Sequence, residues 1–540
     1  MRKTIALIKK QYVVLLLLLF VQAILHAQQP LAPKRPKLVL GIVVDQMRWD
    51  YLYRYYARYS ETGAFKRLLN QGFSCENTLI PYAPTLTACG HTCVYTGSVP
   101  AIHGITGNDW WDYEKNKLVY CTEDNGVSSV GSTDELGKMS PKNLLVTTIG
   151  DELRLATNFK SKVVGIAIKD RGAILPAGHS ANAAYWYDNK TGDWISSTYY
   201  ANELPQWVKE FNGRKLVDKY YAQDWNTLYP SNTYEQSAPI TREFPRNLQQ
   251  YAGKNYGVIA ATPFGNSLTL EMAKATIAGE HLGEDANTDL LAVSLSSTDY
   301  IGHTYGPNSA EAEDCYLRLD KEMGEFLNYL DEKIGKDEYL IFLTADHGAA
   351  HVPAFLSEHK IPAGNFDNEK ATQGLNQLLQ QVFGVNELVN GIINYQVYLD
   401  REAINAKHLS KDSVYSTVIK YLTQNPAIER AFPLDAISNT TLNSRMKEVL
   451  SNGYLPNRSG DIQLIYKPQF LDGFLRGGTT HGVMNPYDAH IPLLWAGWHI
   501  KQGKSNKEVY MTDIAPTVAA LLSVQMPSGS VGHVITEALK

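Results

Sequence analysis

The sequence predicts an α/β fold with a mainly parallel central sheet flanked by helices, and three observations carry that prediction. Short apolar runs, many of them β-branched, recur along the chain. Polar or glycine-rich segments bearing Asp, His, Lys or Arg follow each run directly, and helical patterns fill the intervals. Strands covered on both faces read as unbroken apolar runs rather than as an alternation, which is the pattern of a parallel sheet.

Taken in order, the first run, Leu38 to Val44, ends at Asp45. Val163 to Ile168 leads into Lys169, Asp170 and Arg171, and Leu290 to Leu295 precedes the segment that carries Asp299. Tyr339 to Thr344 precedes Asp346 and His347, and Ile491 to Trp495 reads as a further parallel strand. Helical patterns cover Ser309 to Leu330 and Met511 to Leu522, and the segment Pro84 to His91 enters a helix ending near Gly97. In sheets of this kind ligands bind beyond the carboxyl ends of the strands, so Asp45, Lys169, Asp299 and Asp346 are expected on one edge.

Two stretches interrupt the alternation, at about 172–288 and 352–474, and both are expected to cap the sheet edge. The first contains Tyr185-Trp186-Tyr187, a turn at Asn189 to Gly192, and Trp194, the pattern of a hairpin. The expected organisation is a leader at 1–27 and a single catalytic domain at 28–540 with these two insertions.

The leader is read from Arg2, Lys3, Lys9 and Lys10, then an apolar run from Val13 to Leu25 broken only by Gln22, then His26-Ala27 before polar residues. That order reads as a secretory signal peptide; an uncleaved membrane anchor is the lesser reading, because the run falls short of the ~20 residues that a spanning helix needs. The protein is therefore expected to be exported across the inner membrane into the periplasm, with no membrane span after cleavage. Removing residues 1–27 moves the net charge from −5 to −9. Neither value gives the basic footprint of a nucleic-acid scaffold. A balance of 44% hydrophobic and 19% charged residues excludes disorder and coiled coil. The five cysteines, Cys75, Cys89, Cys93, Cys121 and Cys315, are an odd number and read mainly as small core residues.

The chemistry lies in Asp and His. Asp299 and His303 are four apart and share a face over one helical turn. Asp346-His347 follows a strand, Asp45 ends one, and His481 lies in the loop Gly-Gly-Thr-Thr-His-Gly. Three carboxylates and three imidazoles make two mixed oxygen and nitrogen sets, which suit zinc. Any one of these residues alone is as well explained as a helix cap or a turn former. Thr87 begins a helix, where its hydroxyl would lie beside free backbone N–H groups; the same position suits a plain N-cap.

These motifs, in this order, resemble the alkaline phosphatase superfamily and within it the PafA-like, phosphate-irrepressible alkaline phosphatases. The resemblance runs through Asp45, Thr87-x-x-x-His91, Gly104 to Asn108, Lys169-Asp170-Arg171, Asp299-x-x-x-His303, Asp346-His347-Gly348, His481-Gly482 and Thr512 to Thr517, from about residue 37 to 522. It implies an alkaline-phosphatase-like fold and two Zn2+ ions per chain. Asp299, His303 and His481 would hold one, and Asp45, Asp346 and His347 the other, with Thr87 on the second. It also implies a covalent phosphothreonine at Thr87. Many phosphodiesterase relatives carry Pro two residues after the nucleophile where this chain has Cys89, which leaves Thr85 as a second candidate nucleophile.

Lys169 and Arg171, two apart and on one side if extended, with Asn108, resemble the trio that grips phosphoryl oxygens in monoesterases. A solvated Lys-Asp-Arg turn is the plainer reading of that segment. The expected function is hydrolysis of small phosphate monoesters by a secreted, monomeric, zinc-dependent alkaline phosphatase. The alternative is a phosphodiesterase or nucleotide pyrophosphatase of the same superfamily, in which Trp110, Trp111, Tyr185 and Trp186 could stack on a base. A remoter alternative is a secreted binding protein without turnover. A sulfatase is excluded, because Cys89-Gly-His-Thr-Cys93 lacks the Cys-x-Pro-x-Arg pattern.

Overall fold

The computed structural model describes residues 34–234, 244–473 and 477–540, together with Tyr12. The expected leader at 1–27 lies, apart from Tyr12, outside the described residues. Among the described residues, eleven strands form the central sheet. In chain order they are β1 (Leu38–Val44), β2 (Phe73–Leu79), β3 (Ser129–Val130), β4 (Val163–Ala167), β5 (Ala183–Tyr187) and β6 (Trp194–Ser197). There follow β7 (Asp289–Leu295), β8 (Tyr339–Thr344), β9 (His490–Ile491), β10 (Leu493–Gly497) and β11 (Gly503–Tyr510). Their order is β9-β2-β10-β8-β1-β7-β4-β5-β6-β3, with β11 also on β2.

The middle of the sheet is parallel: β8, β1, β7, β4 and β5 run the same way. Every residue of β1, β7, β4 and β8 is buried, as the unbroken apolar runs require. The flanks differ. Ile491 to Trp495, expected as a parallel strand, splits into β9 and β10, and β10 runs antiparallel to β8. An apolar run reports burial but carries no strand direction, which is set by how the chain returns to the sheet.

The span 172–288 begins inside a helix and then supplies β5 and β6, which pair as the hairpin expected around Asn189 to Gly192 and widen the central sheet. The span 352–474 builds its own four-stranded sheet with the helices Asn368–Phe383 and Lys411–Leu422, and a separate apolar core around Leu375, Val397, Val414 and Ile462. All five cysteines are buried and none forms a disulfide among the described residues. Trp110, Tyr185 and Trp186 are buried in apolar clusters, so these three are packing residues. Among the described residues no helix is long and apolar enough to cross a membrane.

Candidate active site

Four neighbouring parallel strands deliver the polar side chains to one edge. Asp346 and His347 lie just past β8, Asp45 directly after β1, Asp299 past β7, and Lys169 past β4. Adjacent strands lie ~4.8 Å apart, so residues at equal heights become neighbours in space although hundreds of positions separate them. Lys169 Nζ donates to Asp45 Oδ2 at 2.7 Å and to Asp299 Oδ2 at 2.5 Å. Asp299 and His303 occupy one face of α1 (Ser297–Tyr305), with His303 Nε2 3.1 Å from Asp299 Oδ1. His481 Nε2 lies 3.7 Å from the same oxygen, and its ring stacks on that of His347 with centroids 3.4 Å apart.

The imidazoles share a pattern. His303 Nδ1 bonds the Thr479 carbonyl at 2.8 Å, His481 Nδ1 the Thr85 carbonyl at 2.7 Å, and His347 Nδ1 the Gly348 carbonyl at 3.0 Å. A carbonyl can only accept, so each Nδ1 donates a proton there and each Nε2 is turned into the cluster, where a neutral ring offers a lone pair. The carboxylates complete the test for a cation. Asp45 Oδ1 and Asp346 Oδ2 are buried and receive no hydrogen bond among the described residues. The His347 Nε2 atom lies 3.6 Å from the first and 3.2 Å from the second. Buried anionic oxygens without a hydrogen-bond donor are costly, and a cation beside them would offset that cost. The chain's donor set therefore fits divalent metal.

Ligand atoms approach within 4.8 Å of one another in two groups, Asp299 with His347 and His481, and Asp45 with His91 and Asp346. The resemblance instead pairs His303 with Asp299 and His481, and His347 with Asp45 and Asp346. His347 touches both groups, and His303 also reaches Asp299, so both divisions use the same cluster. His91 differs in kind. Its Nδ1 bonds the Thr87 carbonyl at 2.9 Å and its Nε2 the Ser294 hydroxyl at 2.8 Å, so both nitrogens already have partners.

Electrostatics follow from burial and crowding. Burial and then the charge of Asp346 push Asp45 up to about 7. Burial opposes the charge of His347, but Asp346 raises that imidazole to about 9. Burial would also lower Lys169, yet Asp299 and Asp45 hold its ammonium above the usual value. His481 is held well below its usual value by burial and by His347 and His303, which keeps it neutral as a ligand must be.

Thr87 is the first residue of α2 (Thr87–Thr96). Its Oγ1 lies 3.4 Å from His347 Nε2 and 3.5 Å from Lys169 Nζ. The hydroxyl of Thr85 instead donates to the Val483 carbonyl at 2.9 Å, committed to the loop behind His481. Asn108 Oδ1 accepts from the Ala88 N–H at 3.0 Å, so its amide donors stay available. Cys89, where many phosphodiesterase relatives carry Pro, donates its thiol to the Ile105 carbonyl at 3.3 Å and ties α2 to the loop that carries Asn108.

Lys169 and Arg171 do not lie on one extended segment. Lys169 is the extended residue before α3 (Asp170–Ala177), and Arg171 is already in its first turn. The lysine turns to the carboxylates, whereas Arg171 donates to the Tyr120 hydroxyl at 3.0 Å. Tyr120 and Thr122 in turn donate to Asp170.

Sequence reasoning missed Gln46. Its side-chain amide donates to Asp299 Oδ1 at 2.6 Å and its backbone N–H to Asp346 Oδ1 at 3.1 Å, so it holds one carboxylate of each group. Its φ of 64° is unusual outside glycine, and nothing in its position after Asp45 signals it.

Carboxylates and imidazoles clustered beside a helix-start hydroxyl, on the carboxyl edge of a parallel sheet, define a metal-dependent hydrolase of the alkaline phosphatase superfamily. Residues 39–482 match the family Type I phosphodiesterase / nucleotide pyrophosphatase. Over 523 residues the chain is 54% identical to alkaline phosphatase PhoV of Synechococcus elongatus, covering 95% of this chain and 94% of that one. Over 540 residues it is 50% identical to alkaline phosphatase PafA of Elizabethkingia meningoseptica, covering 97% and 98%. A crystal structure of wild-type PafA is similar with a TM-score of 0.92 at 50% identity, covering 94% of this chain and 100% of that one. The chain belongs to that family and, within it, to the PafA-like alkaline phosphatases.

Proposed function

We propose that the protein is a secreted, zinc-dependent phosphomonoesterase that releases inorganic phosphate from small phosphate monoesters through a phosphothreonine at Thr87. The observation that carries this reading is the position of Lys169, whose ammonium lies 3.5 Å from Thr87 Oγ1 while bonded to Asp45 and Asp299. A fixed cation beside a hydroxyl suits a substrate that arrives as a dianion. The alkaline phosphatase names of the close relatives support the same substrate class.

In this reading Asp299, His303 and His481 would hold one Zn2+ and Asp45, Asp346 and His347 the other, supplying Lewis acidity to the Thr87 hydroxyl, the leaving oxygen and the attacking water. Thr87 gives up its proton to water and attacks phosphorus in line; the ester bond breaks and the alcohol leaves with a proton. Water then attacks the phosphothreonine from the vacated side, which returns the Thr87 hydroxyl and frees phosphate. The N-terminal dipole of α2 favours the negative charge that gathers there. The Asn108 amide, fixed by Ala88, and Lys169 orient the terminal oxygens, with the Arg171 guanidinium held nearby by Tyr120. The basic, apolar and small-residue order of residues 1–27 supports export to the periplasm.

The family description favours a second reading, a phosphodiesterase or nucleotide pyrophosphatase. Three of the four aromatics available for base stacking are buried packing residues, which weighs against it. The test is kcat/KM for an aryl phosphate and for its methyl diester, in the unaltered protein and in the Lys169→Ala, Arg171→Ala double variant. Monoester hydrolysis should fall ~10^3-fold or more and diester hydrolysis by less than ~10-fold. Equal losses would sink the monoester reading.

A further inference from the structure

One two-residue turn of the insertion at 352–474 touches both the loop that carries His481 and the loop that carries Asn108. Ile393 pairs with Gln396 across a hairpin of Val389–Ile393 and Gln396–Leu399, leaving Asn394 and Tyr395 as the turn. Their φ values are 54° and 64°, the pattern that favours Asn-Gly. Tyrosine is rare at such a φ, and an observed outlier of this kind is a reason to look for function.

Each residue of the turn grips a different loop. The Tyr395 hydroxyl donates to the His481 carbonyl at 2.9 Å. The Asn394 side-chain amide donates to the Asp109 carbonyl at 2.7 Å, one residue past Asn108. A glycine near each receiving residue permits the approach: a Cβ at Gly482 would lie 2.3 Å from the Tyr395 ring, and one at Gly107 would lie 2.1 Å from Asn394 Nδ2. The turn is itself held from behind. The Tyr395 carbonyl accepts from Leu464 N–H and from Gln463 Nε2, and its ring packs edge-on against Tyr466.

We infer that Asn394 and Tyr395 are positioning residues, with Tyr395 fixing His481 as a metal ligand and Asn394 fixing Asn108 as an oxygen-binding donor. The inference rests on the functional reading of those two residues. It gives the insertion a task, because its core anchors a clasp across two loops distant in sequence. Interactions that orient a ligand from outside its coordination sphere are worth ~10–100-fold in metal affinity.

The test compares Tyr395→Phe, Asn394→Ala and, as a control, Asn376→Ala in the zinc-loaded full chain. Asn376 makes two hydrogen bonds to Val389 in the same hairpin, away from its tip. The readouts are zinc loss to an excess chelator, calorimetric binding of inorganic phosphate, and the melting temperature. Tyr395→Phe should release zinc ~10–100-fold more readily. Asn394→Ala should keep zinc but bind phosphate on the order of tenfold more weakly. Asn376→Ala should lower the melting temperature and leave both ligands unaffected. Wild-type zinc retention in Tyr395→Phe with wild-type phosphate binding in Asn394→Ala would overturn the inference; so would ligand losses in Asn376→Ala equal to theirs. If the unaltered protein fails to hydrolyse monoesters, the functional reading falls, and zinc release still decides the role of Tyr395.

Discussion

The two halves of the metal-binding cluster differ in how they meet solvent. The side chains of Asp45, Asp346 and His347 are 0% exposed, whereas His303, at the other end, is 37% exposed. The first group adjoins Thr87; in the second, Asp299 and His481 are buried and His303 opens to solvent. A nucleophile that must attack phosphorus rather than exchange with water gains from enclosure, while a leaving alcohol needs an exit. In the proposed reaction, attack would fall to the enclosed group and departure to the side that opens at His303.

Removing an imidazole from each half gives the sharpest break in this comparison. His347→Ala should lower kcat/KM by on the order of 10^4-fold, because it empties a position that touches both groups. His303→Ala should cost on the order of 10^2-fold, since water can enter its exposed place, and excess zinc should restore much of the loss. Rates measured against added zinc check this, and equal losses without rescue would contradict the asymmetry. Lys169→Ala comes next. Loss of the cation between Asp45 and Asp299 should cost on the order of 10^2–10^3-fold on an aryl phosphate. Gln46→Ala should cost ~10–100-fold in metal affinity, read by titration with a chelator, because Gln46 braces one carboxylate of each half. The smallest effect concerns the leaving group: across alkyl and aryl monoesters with leaving groups of similar pKa, kcat/KM should change by less than ~10-fold as bulk increases on the open side. A steep dependence on bulk would place the leaving group in an enclosed pocket.

The residues legible in the sequence are those whose placement is local. Asp45 and Asp346 follow apolar runs, Asp299 and His303 are one helical turn apart, and Thr87 opens a helix; strand ends and helix starts fix where such side chains go. Joining them required only that the strands be parallel neighbours, and the resemblance supplied the rest of the order. What stayed hidden depends on contacts between distant residues. Gln46 meets Asp299 across 253 positions and Asp346 across 300. Tyr395 meets His481 from an insertion with its own small sheet, and the direction of β10 depends on where the chain re-enters the sheet. The extended segment expected for Lys169 and Arg171 is interrupted because α3 starts between them, a local feature the Lys-Asp-Arg sequence does not announce.

The central claim is that the enclosed hydroxyl of Thr87 carries the phosphoryl group between alcohol and water. Acid quench of the protein during turnover of a 32P-labelled aryl phosphate, followed by mapping of the labelled peptide, tests it most directly. The account predicts label on Thr87 in the unaltered protein and none in Thr87→Ala. Label on Thr85, or normal turnover by Thr87→Ala, would contradict it.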